Sequence, residues 1–266
     1  MRNLSQVVSL IEEMAAKKRN KGWRATIIMG LMAGVFIAMG GLLSMLVSRG
    51  FPPELLQRYP SISSILAGAV FPLGIILVVM FGAELFTGNN AHLMTAALRG
   101  RNSWGFTLTH WAAIWVLNLL GALFFVYFFV YLTGLLDGTY LGRAACQIAY
   151  HKVEQPFWTI FLKGIGANWL VCLAVWLSFY TDSLVGKVIA LWWPIMAFVV
   201  MGFEHSVANM YYLPLGILAG ANISPWEALM DNLIPATLGN MVGGAIFVGL
   251  FLTLATEQGV RQKPSI

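Results

Sequence analysis

Gly202-Phe203-Glu204-His205-Ser206-Val207-Ala208-Asn209-Met210 places a carboxylate and an imidazole side by side between two apolar runs, 188–201 and 211–219. Ionisable side chains at membrane depth are costly, so they face a cavity or a partner and mark a pathway. Gly202, Pro194 and Pro214 also break the regularity of the run. Irregular backbone is tolerated in a bilayer only where protein buries it or where it lines a cavity. The stretch therefore predicts an all-α integral membrane protein with an interrupted helix beside an internal space.

The same pattern stands earlier in the chain. Gly82-Ala83-Glu84-Leu85-Phe86-Thr87-Gly88-Asn89 shares G-x-E-x-x-x-x-N with 202–209 and also interrupts an apolar run. Gly and Asn recur often enough for coincidence. The two copies share their membrane context, however, and paired interrupted segments in corresponding halves point to a transport site between repeats. Composition agrees: 59% hydrophobic and 10% charged residues, with a mean hydropathy of +0.76, fall outside the soluble globular range. The formal charge of +5 does not read as nucleic-acid binding, because Lys and Arg flank the apolar runs instead of forming a solvated stripe. Two cysteines, Cys146 and Cys172, cannot build a disulfide scaffold, and Cys172 reads as a small packing residue. CxxC, HExxH and GxxxxGK[ST] are absent, so no metal or cofactor is expected.

The apolar runs are continuous rather than alternating, which argues against strands. They divide into six predicted transmembrane helices: 25–48, 62–81 with a short second half at 92–98, 106–132, 157–180, the half-spans 185–201 and 206–218, and 232–255. The second and fifth are broken, and opposed three-span halves make an inverted 3+3 repeat. Gly30, Gly34, Gly40 and Gly41 suit close helix approach in the first span. Phe51-Pro52-Pro53 opens a polar connection. Upstream, Leu4, Val7, Val8, Ile11 and Met14 recur at helical spacing ahead of Lys17, Lys18, Arg19, Lys21 and Arg24. Residues 1–24 thus predict an amphipathic helix on an anionic leaflet or on a neighbouring subunit, or a plain topology signal. They do not read as a secretory signal, because the first apolar run is too long and no small-residue cleavage site follows. The expected organisation is this helix, one channel domain at 25–255 and a tail at 256–266. With an inward N-terminus, inner segments hold Arg2, Lys17, Lys18, Arg19, Lys21, Arg24, Arg99, Arg101, Lys187, Arg261 and Lys263, while outer loops hold Arg49, Arg58, Arg143 and Lys152. That asymmetry places both termini in the cytoplasm of a multi-pass protein of a bacterial-type inner membrane.

Four ordered motifs closely resemble the signatures of the formate/nitrite transporter family: F-G-A-E-L-F-T-G-N at 81–89, A-N-W-L-V-C-L-A-V-W at 167–176, G-F-E-H-S-V-A-N-M at 202–210 and N-L-I-P-A-T-L-G-N at 232–240. The match runs from about Arg24 to Ala255. The resemblance implies an aquaporin-like protomer and a homopentamer with one pore in each subunit. It places the central His205 beside Thr87 of the other break, and apolar constrictions at Phe71, Ile75, Leu85 and Phe198. Ile75 stands where the family often has leucine. Asn168, Asn209 and Asn240 are further matches, as substrate or backbone ligands or as helix–helix glue. Lys152 is similar to the family's lysine near the outer vestibule. Lys163 fits a K-G-x-x-x-N pattern of nitrite-type members, whereas the outer link and N-L-I-P-A-T-L-G-N are more formate-like.

The residues themselves suggest roles. Glu84 and Glu204 head the breaks, where amide N–H groups lose their helical partners and a carboxylate can accept from them. Bracing is the expected role of both, together with Asn89 and Asn240, since a charged carboxylate facing the pore would repel an anion. His205, with a reference pKa of about 6.5, can donate a hydrogen bond or a proton near neutrality. The expected substrate is a small monovalent weak-acid anion, formate first, with nitrite or hydrosulfide as alternatives. Lys152 and Lys163 would gather it. It then crosses either as the neutral acid or as the anion with His205 protonated as counter-charge. An enzyme would need a nucleophile with its base, and none is seen. A water or glycerol pore would share the broken helices, but the Asn-Pro-Ala pair of that family is missing.

Overall fold

A computed structural model of the chain describes residues 1–260 and is all-helical throughout that range, with no strand among the described residues. Five helices are long and apolar enough to cross a membrane: Trp23–Ser48, Ser61–Phe81, Trp104–Tyr131, Phe157–Ser178 and Pro225–Thr256. A shorter apolar helix, Leu184–Val200, is followed after a break by Ser206–Leu218. The first broken segment has the same form, with Ser61–Phe81 followed by Phe86–Leu98. The second half-helix therefore starts at Phe86, earlier than the expected 92, and each break is confined to the few residues between helices. The last helix runs on to Val260, past the expected end of the channel domain, and the remainder of the 256–266 tail lies outside the described residues.

Packing repeats between the halves. Trp23–Ser48 lies chiefly against Trp104–Phe125, and Phe157–Ser178 against Ile234–Met241. Each half-helix crosses into the other half: Phe86–Leu98 packs on Val242–Leu250, and Ser206–Leu218 on Trp104–Phe125. Glycines permit the closest approaches. A Cβ on Gly121 would lie 2.0 Å from the carbonyl oxygen of Leu31, and one on Gly243 would lie 2.2 Å from that of Ile165. The outward faces carry large apolar side chains such as Phe128, Phe129, Trp192 and Trp193. Water would not tolerate a continuous belt of that kind, whereas lipid or a neighbouring apolar face does.

Two amphipathic helices complete the repeat. Leu4–Arg19 buries Val7, Val8 and Ile11 in a cluster with Ala91, Cys172, Trp176 and Val248. Its apolar face therefore packs on its own protomer. Arg2 pairs with Asp182 at 2.5 Å, Arg101 pairs with Glu12, and Asn102 donates to the carbonyl of Ala15. Its counterpart is Tyr140–Val153, which packs on Ser206–Leu218 as Leu4–Arg19 packs on Phe86–Leu98. That helix lies in a stretch read from sequence only as an outer loop. A short helix, Pro53–Arg58, likewise occupies the connection opened by Phe51-Pro52-Pro53.

Candidate functional site

Both breaks are assembled in the same way. Gly82 and Gly202 take left-handed φ values of 65° and 66°, which turn the chain out of the preceding helix at little cost for a residue without Cβ. Glu84 N–H then donates to the Met29 carbonyl at 3.0 Å and Glu204 N–H to the Lys163 carbonyl at 3.4 Å. Where the helix resumes, its first N–H groups have no helical acceptor. Asn118 Oδ1 accepts from Phe86 N–H at 2.9 Å, while its Nδ2 donates to the carbonyls of Gly30 and Glu84 at 2.8 and 2.9 Å. Asn240 repeats the set with Ser206 N–H at 2.8 Å and the carbonyls of Gly164 and Glu204 at 2.8 and 2.9 Å. All of these atoms belong to buried side chains or backbone, where an unmade hydrogen bond is expensive.

This corrects the bracing expected of Glu84 and Glu204. The asparagine amides hold the freed backbone, because an amide can both accept and donate there, whereas an ionised carboxylate only accepts. Each carboxylate is instead tied to cations and side-chain amides. Glu84 receives Lys18 at 2.5 Å, Lys21 at 3.1 Å and Asn89 at 3.0 Å, with His110 Nε2 3.7 Å away. Glu204 receives Lys152 at 2.8 Å, Asn209 at 2.7 Å, Asn232 at 3.4 Å and Gln155 at 3.5 Å. Asn209 thus supports the carboxylate, and its Nδ2 also reaches Asn232 Oδ1 at 2.6 Å. Lys18 and Lys152 end the two amphipathic helices, so each of those helices delivers a counter-ion to one break. Lys163 Nζ turns to Gln155 Oε1 at 2.6 Å.

Sequence reasoning missed Asn118, Lys18, Lys21, Gln155 and Asn232. One signal was available: Asn118-Leu119-Leu120-Gly121 and Asn240-Met241-Val242-Gly243 share N-x-x-G, with the brace and the close-approach glycine one turn apart.

The halves differ at the centre, where His205 stands in the position occupied by Leu85 in the other break. His205 caps its own helix: Nδ1 accepts from Ala208 N–H at 3.1 Å. An accepting Nδ1 carries no proton, so in this arrangement the ring is neutral with its hydrogen on Nε2. That hydrogen is donated to Thr87 Oγ1 at 3.0 Å. A second proton, on Nδ1, would break the cap. The ring stacks against Phe198 at 5.8 Å, and Phe198 meets Phe71 edge-on at 5.7 Å. Phe71, Ile75, Leu85 and Phe198 are all buried. Asn168 Nδ2 lies behind Thr87, donating to its carbonyl at 3.1 Å and reaching the Asn240 carbonyl at 2.6 Å.

Two cavities approach this centre. One, of 560 Å³, is lined by Ile75, Val78, Leu85, Glu84 and His92 together with Lys17, Lys18, Lys21 and Lys187. The other, of 550 Å³, is lined by Phe71, Phe198, His205, Glu204, Lys152 and Arg49. Phe71 and Ile75 are only four residues apart in sequence, yet they line different cavities. Trp23–Ser48 brings its C-terminal residues Ser44, Met45 and Ser48 to the second cavity, and Phe157–Ser178 brings Val175 and Ser178 to the first. These two helices thus run in opposite directions. Basic side chains outnumber carboxylates on both walls, and an apolar septum with one polar pair lies between. Among the described residues no group of His, Cys, Asp and Glu could hold a metal.

The pattern of the formate/nitrite transporter family matches residues 5–254. The chain is 41% identical over 244 residues to the formate channel BtFdhC of Bacillus thuringiensis, covering 92% of each chain. Among solved structures it resembles an FNT family ion channel with a TM-score of 0.83 and 28% identity, over 95% of this chain and 98% of that one. It also resembles a pentameric formate channel with formate bound, with a TM-score of 0.75 and 32% identity, over 92% and 99% of the two chains. With this span of agreement, and with apolar helices that make it a multi-pass membrane protein, the chain belongs to the formate/nitrite transporter family.

Proposed function

We propose that this protein moves small monovalent weak acids, formate foremost, through a pore within each protomer, and that the acid crosses the centre in its neutral form. The observation that carries this reading is the His205 cap. With Nδ1 engaged by Ala208 N–H and Nε2–H on Thr87, His205 meets the septum as a neutral donor, not a counter-charge. An anion stripped of water beside Phe71, Phe198, Ile75 and Leu85 would meet no cation there, and moving bare charge into apolar surroundings is far costlier than moving a neutral acid. The anion gathers in a cation-lined cavity and takes a proton from water at that mouth, leaving hydroxide on that side. As formic acid it accepts from His205 Nε2–H and donates its O–H to Thr87 Oγ1, then loses the proton in the opposite cavity. The basic walls favour an anion-collecting path over a neutral polyol pore.

Around this site we infer six spans arranged as an inverted repeat, a homopentamer like the pentameric formate channel it resembles, and residence in the cytoplasmic membrane with both termini inside. Nitrite and hydrosulfide are the alternative substrates, since each also has a small neutral conjugate acid. The test is to compare fluxes of formate, nitrite, hydrosulfide, acetate and glycerol in the same proteoliposomes across pH. Formate flux should exceed the others and rise as pH falls. Glycerol flux without formate flux would sink the proposal.

A further inference from the structure

The cavity that reaches His205 carries Arg49, His151 and Lys152 as basic side chains and Glu204 as its carboxylate. These charges are not equally available. Lys152 Nζ lies 2.8 Å from Glu204 Oε2, and their side chains are 12% and 5% exposed. The same ammonium sits over the Tyr212 ring at 5.5 Å. A pair so close and so buried acts as a dipole, whose field falls off towards the mouth faster than that of a lone charge. Lys163 is spent on Gln155 and is absent from the cavity wall. Arg49 follows the C-terminal end of Trp23–Ser48, is exposed, and has no carboxylate within ion-pair distance among the described residues. Beside it the wall is rich in hydroxyls: Ser44, Ser48, Ser63 and Ser64. Ser44 and Ser63 donate to the carbonyls of Ala67 and Ser48, which leaves the hydroxyls of Ser48 and Ser64 without such a bond, and of the two Ser64 is the exposed one.

We propose that Arg49, assisted by the Ser64 hydroxyl, is the substrate-collecting cation of this mouth, and that Lys152 is the fixed counter-ion of Glu204. The ligand is a small monovalent oxyanion such as a carboxylate, whose two oxygens fit the planar guanidinium fork. The opposite cavity follows the same rule. There Lys18 and Lys21 are committed to Glu84, while Lys17 and Lys187 also line the wall. The proposal rests on the weak-acid reading above and adds to it the residue that raises local substrate concentration.

The test is initial formate uptake into proteoliposomes by the wild type, Arg49→Gln, Arg49→Lys and the double variant Lys152→Gln/Glu204→Gln. The double variant removes the pair together, so that no lone charge stays buried. Each is measured at about 0.01 M and about 1 M salt, where the screening length falls from about 30 Å to about 3 Å. Arg49→Gln should raise the apparent half-saturation about three- to tenfold at low salt and leave it unchanged at high salt, as expected for one removed charge near the path. Arg49→Lys should restore most of the low-salt value. The double variant, checked for the wild-type oligomer by size-exclusion chromatography, should keep a salt response close to wild type. An unchanged half-saturation in Arg49→Gln, or a response lost only in the double variant, overturns the proposal while the weak-acid reading stands. A wild type that moves neither formate nor nitrite above empty liposomes overturns both.

Discussion

Asn240 concentrates three buried hydrogen bonds on one amide, and Asn118 does the same in the other half. Replacing either with leucine strands one backbone N–H and the carbonyl of the break glutamate, while the Gly30 or Gly164 carbonyl keeps its helical partner. At roughly 1–3 kcal/mol for each buried group left unsatisfied, the loss is a large fraction of a typical stability. The expected outcome for Asn118→Leu and for Asn240→Leu is a large fall in the melting temperature of detergent-solubilised protein, or failure to assemble. Equal effects would show that the two braces are equivalent, and wild-type melting of either variant would remove the brace. His205 makes a different prediction. His205→Asn keeps a good N-cap residue but is too short to reach Thr87, whereas His205→Phe loses the cap as well, worth about 0.5–2 kcal/mol. Both should lose roughly tenfold in formate flux, the equivalent of one net hydrogen bond at the septum, and only the phenylalanine variant should also melt earlier. Wild-type flux in both would make His205 a packing residue. The central pair was legible because an ionisable residue stands out in an apolar run. Asn118 was not, since a single asparagine in a long apolar helix has many uses until a second N-x-x-G is set beside it.

At the scale of elements, the long helices were legible from apolar runs of bilayer length, and their ends moved by only a few residues. What hid was the helix Tyr140–Val153 and the role of Leu4–Arg19 as its partner. Their counterparts share little sequence, and the match is one of placement: Lys18 and Lys152 each reach the glutamate of a break. Helix packing gives a direct comparison. Gly121→Ala and Gly243→Ala push a methyl into a carbonyl oxygen at 2.0 and 2.2 Å, whereas Gly105→Ala meets nothing within 4 Å. The first two should each destabilise by about 1–3 kcal/mol or more, while the third should be neutral or slightly stabilising. Thermal unfolding in detergent checks all three, and equal melting temperatures would contradict the close packing. At the N-terminal helix, the hydrogen bond from Arg2 holds the Asp182 carboxyl below its usual range. A depressed carboxyl contributes stability above its unfolded value of about 3.9 and loses it as pH falls through the lower folded value. The protection factor against hydrogen exchange in the first turn of Leu4–Arg19, which corrects for the intrinsic pH dependence of exchange, should therefore stay flat between about pH 8 and about pH 5. Asp182→Asn should lower it throughout that range, and an equally low wild-type value at about pH 5 would mean that another group controls that end.

At the scale of the molecule, the expectation of two opposed halves rests on two short motifs, because an odd number of spans per half would force the halves to oppose each other. The charge plan could not be read that way. Counting lysines along the chain assigns Lys152 and Lys163 to substrate, whereas in three dimensions Lys152 also pairs with Glu204 and Lys163 hydrogen-bonds Gln155. The pore proposed above has basic cavities at both ends and a neutral septum, which the substrate crosses without net charge. The decisive measurement is formate uptake by proteoliposomes under an imposed membrane potential of either sign, with internal pH recorded at the same time. If the acid crosses neutral, uptake is insensitive to the potential, no formate current appears, and one proton enters with each formate. Uptake that reverses with the sign of the potential and leaves internal pH unchanged would show the bare anion crossing, and would contradict the account.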